Sequence, residues 1–193
     1  MDRTLVATAP LRQAGPADSD AIREFVCGLS LRTQRLRFFA AVAPPSTGLL
    51  RALCGVTGRA DILLVTDSDG TMIAHGMAAD AHAREGLESS IGLVVADGWQ
   101  RRGIGTQLLR ALMIRAARRG VGSLVLEVLP DNHVMRGIIA RQWPDAPAEW
   151  TPDALVYRPA IPPETSLRTV PAAIRISQPG DSGDHSAPGR SAA

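Results

Sequence analysis

Apolar and polar positions alternate along this 193-residue chain with two different periods, and each period predicts one type of element. Short apolar or alternating runs bounded by glycine, proline and aspartate predict strands over 5–12, 61–66, 71–79, 88–96, 123–129 and 154–160. Apolar residues that recur every three or four positions predict helices over 18–29, 30–39, 47–54, 104–119 and 132–142. The order of these elements predicts a mixed sheet with helices packed on it.

The residue types at several predicted strand and helix ends explain why the elements end there. The sequence of residues 67–70 is typical of a hairpin turn in which Gly70 takes a positive φ, and 81–87 is predicted to be a loop. Asp18 and Asp131 are the predicted N-caps of two helices, and Gly120 is the predicted end of the 104–119 helix.

Composition limits the classes of protein that the chain can belong to. A hydrophobic fraction of 45% is enough for one core, so we predict one domain over 1–160. Proline, serine and glycine without apolar periodicity predict a disordered tail over 161–193. The net charge is only +2, which argues against nonspecific nucleic-acid binding. No apolar run is long enough to span a membrane, and we predict a cytoplasmic protein without a membrane partner.

The two cysteines, Cys27 and Cys54, lack the spacing of a metal site, so no metal is predicted. The stretch that suggests chemistry runs from Gln100 to Thr106, between a strand and the clearest helix. The first N–H groups of a helix have no partner inside it, and two glycines let a phosphate approach them. The alternative is a glycine turn that only packs a strand on a helix. The spacing matches neither the dinucleotide fingerprint nor the P-loop.

This Gln-x-x-Gly-x-Gly stretch resembles the acyl-CoA pyrophosphate signature of the GNAT N-acetyltransferases. The strand 124–129 followed by Asn132 and Met135 resembles the next strand and helix of that family, so the likeness spans about 5–160. Leu29-Ser30 and residues 35–39 resemble the bacterial protein-lysine acetyltransferase branch. The resemblance implies an α/β (α+β) fold whose mixed, mostly antiparallel central sheet has two splayed parallel strands and is flanked by helices.

The resemblance also implies where acetyl-CoA, the co-substrate, binds. The pantetheine arm would pair with the backbone of the central strand, and the pyrophosphate would lie on the loop and the helix start. Asn132 would touch the pantetheine or the thioester, although a simple helix-cap role is the alternative. The implied binding residues are Leu93, Val94, Val95, Gln100, Arg101, Arg102, Gly103, Ile104, Gly105, Thr106 and Asn132.

The catalytic residues match the family less well. A lysine-type amine has a pKa near 10.4, so direct attack on the thioester at pH 7 needs a base. The strand position that carries a glutamate in the protein-acetyltransferase branch is Ser90 here. Glu88 lies two residues earlier and would share the face of Ser90, which makes it the predicted base. A solvated charge at the strand end is the alternative.

The family's tyrosine acid would fall at Ile139, and Tyr157 is the chain's one tyrosine. His82 and His133 are alternative proton carriers, although each also fits a surface loop.

The sequence therefore predicts an N-acetyltransferase that moves an acetyl group from acetyl-CoA to a primary amine, with a protein lysine as the favoured acceptor. An acyl-CoA synthetase is a candidate protein acceptor, and the chain is predicted to be a monomer or a dimer. A small-molecule amine acetyltransferase, which would need a deeper, acid-lined pocket, is one alternative. A second is an acyl-CoA-binding regulatory module without turnover, and a third is a partner-binding protein that uses the arginine-rich helix and the tail.

Overall fold

The computed structural model describes residues 7–56, 60–84, 86–162 and 172–176. Within these ranges the chain forms eight strands and five α-helices. The strands are β1 (Ala7–Gln13), β2 (Ala60–Thr66), β3 (Met72–Ala83), β4 (Gly86–Val95), β5 (Ser123–Val128), β6 (Ala148–Trp150), β7 (Leu155–Tyr157) and β8 (Ala173–Ile176). The helices are α1 (Ser19–Gly28), α2 (Leu31–Phe38), α3 (Thr47–Leu53), α4 (Ile104–Arg118) and α5 (His133–Gln142).

All eight strands join one sheet in the order β6-β7-β5-β4-β3-β2-β1-β8. Neighbouring strands run antiparallel except for β4 and β5, which are parallel. This parallel pair is in register only from Glu88 to Ser90 on β4 and from Ser123 to Val125 on β5. The two strands then continue to Val95 and Val128 without pairing with each other. The sheet therefore opens between β4 and β5 at their carboxyl ends. The predicted mixed sheet with splayed parallel strands is confirmed.

Helices cover both faces of the sheet. Helix α4 buries its apolar stripe against one face, where Leu108 and Leu112 are fully buried. Helix α5 packs on the same face through Ile139, beside β5. Helices α1 and α3 cover the opposite face around Ile22 and Leu53, together with Val94 of β4. The apolar spacing read from the sequence therefore marks the buried side of α1, α3 and α4, whereas α2 buries Thr33 and Gln34 instead.

Several predicted boundaries hold and others are wrong. Gly70 takes a φ of 83°, as the hairpin prediction requires, and Gly120 ends α4 with a φ of 81°. The predicted loop at 81–87 is wrong, because β3 continues to Ala83 and β4 starts at Gly86. Polar and small residues at this sheet end pair through their backbones, which an apolar pattern cannot show.

Two predicted helix caps are also different. Asn132 caps α5 by accepting a hydrogen bond from the Met135 N–H at 3.1 Å, whereas the predicted cap, Asp131, pairs with Arg35. Asp18 does precede α1, but its side chain makes no cap bond and accepts hydrogen bonds from Arg12 instead.

Part of the predicted tail is ordered. Residues 173–176 form β8, which pairs antiparallel with β1, so the prediction of disorder is wrong at these four residues. Ile174 is fully buried there and joins the core under α4. Residues 163–171 and 177–193 of the predicted tail lie outside the described residues. The extra outer strand and β6 both contribute too few apolar residues to be recognised from sequence.

Candidate active site

A cleft of about 1020 Å³ opens where β4 and β5 separate. Its walls are the carboxyl-end halves of these two strands, and its rim comes from α2, the loop before α4 and the start of α5. Most of the predicted binding residues line it: Leu93, Val94, Val95, Gln100, Arg101, Gly103, Ile104, Gly105, Thr106 and Asn132. Arg102 is the exception.

Successive side chains of β4 point to opposite faces of the sheet, so the cleft has two chemically different sides. A Cβ built on Gly105 of α4 would lie 3.6 Å from Leu93 and 3.7 Å from Val95, so these two side chains face α4. Gly92 and Val94 face the opposite side, because a Cβ on Gly92 would meet Arg37 of α2. The cleft thus passes through the sheet from the α4 side to the α2 side.

The loop before α4 is shaped to bind an anion on the α4 side. Arg101 and Gly103 both adopt left-handed backbone conformations, with φ of 61° and 78°. Gly103 is the N-cap residue of α4, and because it has no side chain it cannot cap the first N–H groups of the helix. The first backbone hydrogen bond into α4 runs from Gln107 N–H, so the N–H groups of 104–106 point out of the helix start. Such exposed N–H groups at the positive helix end suit a phosphate group.

Gln100 and Arg102 hold the loop in shape. The Gln100 amide donates to the Val95 carbonyl at 3.1 Å and to the Thr33 hydroxyl at 3.2 Å, tying the end of β4 to α2. Arg102 lies over the Trp99 ring at 4.8 Å and donates to the Gly98 carbonyl. These bonds give both side chains a positioning role in the loop.

Asp97 fastens the same loop to α2. Its carboxylate accepts hydrogen bonds from the Ser30 N–H, the Ser30 hydroxyl and the Thr33 hydroxyl, at 3.0, 2.7 and 2.7 Å. Partial burial alone would raise the pKa of Asp97, but these bonds outweigh it and leave the pKa below its usual value. The loop and α2 therefore form one connected rim of the cleft.

Glu88, the predicted base, lies outside the cleft lining. It sits at the paired end of β4, where the Ser123 hydroxyl donates to its carboxylate at 3.2 Å. Ser90, in contrast, lines the cleft and carries no carboxylate. The parallel pairing of β4 with β5 still holds at Glu88, so the sheet has not yet opened there.

The alternative proton carriers, His82 and His133, are also placed away from the cleft. Ile139, which stands where the family has its tyrosine, is buried in the core between α5 and β5, and Tyr157 is half-buried in the sheet on β7. His82 lies at the edge of a different cavity, and exposed His133 begins α5 without lining the cleft.

Glu127 is the carboxylate that the sequence analysis missed. Among the described residues that line the cleft, it is the one acidic side chain. Leu124, Leu126 and Val128 of β5 pack toward α4 and α5, so alternation places exposed Glu127 on the α2 side. A charged residue inside an otherwise apolar strand was the available signal.

Arg37 is the second missed residue. Its guanidinium lies 4.9 Å from the Phe38 ring centroid, and its Nε is shielded from solvent without a described hydrogen-bond partner. Burial lowers the pKa of Arg37 to about 10, so the group stays charged at neutral pH. An alternating pattern of charge and apolar groups in α2 does not show that this arginine points inward.

His75 lies on β3 directly beside Val94 of β4 and is fully buried. Its Nε2 donates to the Leu53 carbonyl at 2.9 Å, and its Nδ1 has no partner among the described residues. Burial lowers the pKa of His75 to about 4, and the nearby charge of Arg37 lowers it further. The ring is therefore neutral at pH 7, next to a cation.

We expect His75 to make stability depend on pH. Its folded pKa of about 4 lies below the ordinary value near 6.5, so the unfolded state binds the proton more readily. The free energy of unfolding should fall by about 3 kcal/mol between pH 7 and pH 4 on this account. Denaturant titrations at both pH values measure the loss. His75→Gln, which keeps a donor for Leu53, should lose less; an equal loss in both proteins would contradict the expectation.

Both a family model and similar solved structures point to acetyltransferases. The family model described as Acetyltransferase (GNAT) family matches residues 32–142. The crystal structure of the GNAT domain of PAT from S. lividans is 20% identical, over 79% of this chain and 90% of that one, with a TM-score of 0.70. A search of the curated proteins finds no match.

Two further solved structures are similar. RimL, a ribosomal L7/L12 alpha-N-protein acetyltransferase in complex with CoA, is 21% identical over 80% of this chain and 94% of that one, with a TM-score of 0.63. A cAMP-binding acyltransferase from Mycobacterium smegmatis is 25% identical over 83% of this chain, with a TM-score of 0.55. This chain covers only 46% of the mycobacterial protein.

Neither a membrane span nor a metal cluster is found in the described part of the chain. No described helix is long and apolar enough to cross a membrane, and no group of three or more metal-ligating side chains occurs there. The family match covers more than half of the chain and includes the cleft rim, the loop and α4. The chain belongs to the GNAT family and is an acetyl-CoA-dependent N-acetyltransferase.

Proposed function

We propose that the chain acetylates a primary amine inside the cleft by direct attack, with Glu127 as the general base. One observation carries this proposal: Glu127 is the one carboxylate among the described cleft-lining residues, and it stands on the wall opposite β4. A lysine-type amine costs about 4.6 kcal/mol to deprotonate at pH 7, and a base reduces that barrier. Glu127 takes the role that the sequence analysis gave to Glu88.

The remaining groups position acetyl-CoA. The backbone of β4 from Leu93 to Val95 borders the open gap and offers hydrogen bonds to a pantetheine arm lying along it. The N–H groups at the start of α4 suit the pyrophosphate, with Arg101 at the cleft edge as an added cation. A backbone N–H of β4 near Val94 can stabilise negative charge on the thioester oxygen. The amine gives a proton to Glu127 and attacks the thioester carbonyl carbon. The C–N bond forms, the C–S bond breaks, and CoA leaves as a thiolate that takes up the proton.

A protein lysine remains the acceptor that we propose for the physiological reaction. Phe39 and Val134 are exposed large apolar side chains that line the mouth of the cleft, and such residues suit contact with another protein surface. A small cationic amine would need an acid-lined pocket. This cleft is lined instead by three arginines, Arg32, Arg37 and Arg141.

Labelled acetyl-CoA tests this proposal directly. The purified protein is incubated with isotope-labelled acetyl-CoA and a desalted lysate, and labelled proteins and small molecules are separated and counted. We expect labelled protein bands that disappear with Gly105→Glu, a variant that places a carboxylate in the phosphate cradle. The absence of any label from a protein that still binds CoA would favour an acyl-CoA-binding regulatory module instead.

A further inference from the structure

Arg37 occupies an unusual position against the wall of the cleft. A Cβ built on Gly92 would lie 2.4 Å from both Cζ and Nη2 of Arg37 and 2.7 Å from Nη1. A side chain at position 92 would displace the guanidinium from this place beside β4, and glycine leaves room for it. The contact falls just after Ser90, the last β4 residue paired with β5, where the sheet opens.

The charge of Arg37 is uncompensated within the described structure. No described carboxylate pairs with it, and its Nε is buried without a partner. Other half-buried arginines of the chain behave differently, because Arg115 and Arg119 both bind Asp61 at 2.6 and 2.7 Å. A half-buried cation whose Nε is shielded and has no described anion is costly, so its presence in a cleft wall points to an anion that arrives with a ligand.

This anion is not expected to be a phosphate of acetyl-CoA. The helix-start cradle lies on the α4 side, where Leu93 and Val95 point, whereas Gly92 and Arg37 lie on the α2 side. The group that reaches Arg37 therefore enters from the other face of the sheet. Glu127 faces that same side.

We propose that Arg37 binds a carboxylate of the acceptor, so that the acetylated amine belongs to a molecule with an acid group close by. This inference rests on the proposed acetyl transfer, and it adds the chemical class of the acceptor. The planar guanidinium can take a carboxylate through two parallel hydrogen bonds. Glu127 then faces the amine of a molecule whose acid end lies on Arg37. For the proposed protein acceptor, the carboxylate comes from an acidic residue beside the lysine. A free amino acid is the other source, and it would replace the protein as the acceptor.

Matched acceptors test the proposal and separate the two sources. Each proteinogenic amino acid is compared with the amine that lacks its carboxylate, and a lysine peptide flanked by glutamates is compared with one flanked by glutamines. Acetylation is followed by release of the CoA thiol. We expect KM to be about tenfold to a hundredfold lower for the carboxylated member of one set. The set that shows the difference identifies the source.

Arg37→Met removes the charge and keeps a linear side chain in the same space. We expect the KM of the carboxylated acceptor to rise about tenfold to a hundredfold, while the KM of its partner without the carboxylate changes less than threefold. The melting temperature should stay the same or rise, because an unpaired buried charge is removed. A lower melting temperature with equal losses for both acceptors would overturn the proposal and make Arg37 a structural residue.

A second variant and a binding measurement keep the two proposals distinguishable. Gly92→Ala displaces the guanidinium without removing it, and we expect the same selective rise in KM. Calorimetric titration of each acceptor pair into the CoA-saturated protein does not depend on turnover. Preferential binding of the carboxylated member without acetylation would overturn the proposed transfer and support the Arg37 site. Equal binding of both members would overturn the Arg37 site alone.

Discussion

Glu127→Gln is expected to lower kcat/KM for the acceptor amine by about a hundredfold to ten-thousandfold, the usual contribution of a general base. The amide keeps the size and shape of the carboxylate but cannot accept a proton. Because Glu127 is exposed on β5 and forms no described ion pair, the fold should tolerate the change. Steady-state kinetics and a thermal melt of the same preparation measure the two effects separately.

The pH profile distinguishes a base from a residue that only shapes the cleft. Raising the pH toward the amine pKa near 10 supplies neutral amine without the enzyme's help. The gap between wild type and Glu127→Gln should therefore narrow as the pH rises. Glu88→Gln is the matched control, because Glu88 lies at the paired strand end and bonds Ser123. A larger loss of kcat/KM with Glu88→Gln than with Glu127→Gln would make Glu88 the base, as the sequence predicts.

The contrast between these two glutamates shows what the sequence could and could not predict. The proposed phosphate cradle is local: a strand end, a loop with two glycines and a helix start follow one another within 93–106, so their order alone predicts their arrangement. Helical spacing and a hairpin turn likewise depend on neighbours in sequence. These parts of the fold and site were predictable.

The acceptor side depends instead on distant segments. Whether Glu88 or Glu127 reaches the cleft is decided by where β4 and β5 stop pairing, and that point is set by the register between strands 35 residues apart. Arg37 meets Gly92 only because α2 packs over β4 after a long connection. The charge of Glu127 within an apolar strand is a local signal, but no local pattern encodes the strand register or the contact of Arg37 with Gly92. The residues proposed to select the acceptor therefore required the structure, whereas the loop and helix start proposed to hold acetyl-CoA could be located from the sequence.

Gly105→Glu is expected to weaken acetyl-CoA binding by more than a hundredfold. Position 105 lies in the first turn of α4 and faces Leu93 and Val95 across the opening of the cleft. A carboxylate there would stand beside the pyrophosphate and occupy the helix end that favours negative charge. Each lost hydrogen bond to a charged group costs about 1.5–3 kcal/mol, so the loss of two such bonds weakens binding by more than about a hundredfold. Calorimetric titration with CoA gives the affinity.

Gly105→Ala is the matched control for this prediction. A methyl group at position 105 would make ordinary contacts of 3.6 and 3.7 Å with Leu93 and Val95, so alanine should fit without moving β4. We expect the alanine variant to bind CoA within about threefold of wild type, because the backbone N–H groups of the cradle stay in place. Equal weakening by alanine and glutamate would mean that space, rather than charge, limits the cradle. Unchanged binding by the glutamate variant would instead place the pyrophosphate elsewhere, and the assignment of the α4 side to acetyl-CoA would fail with it.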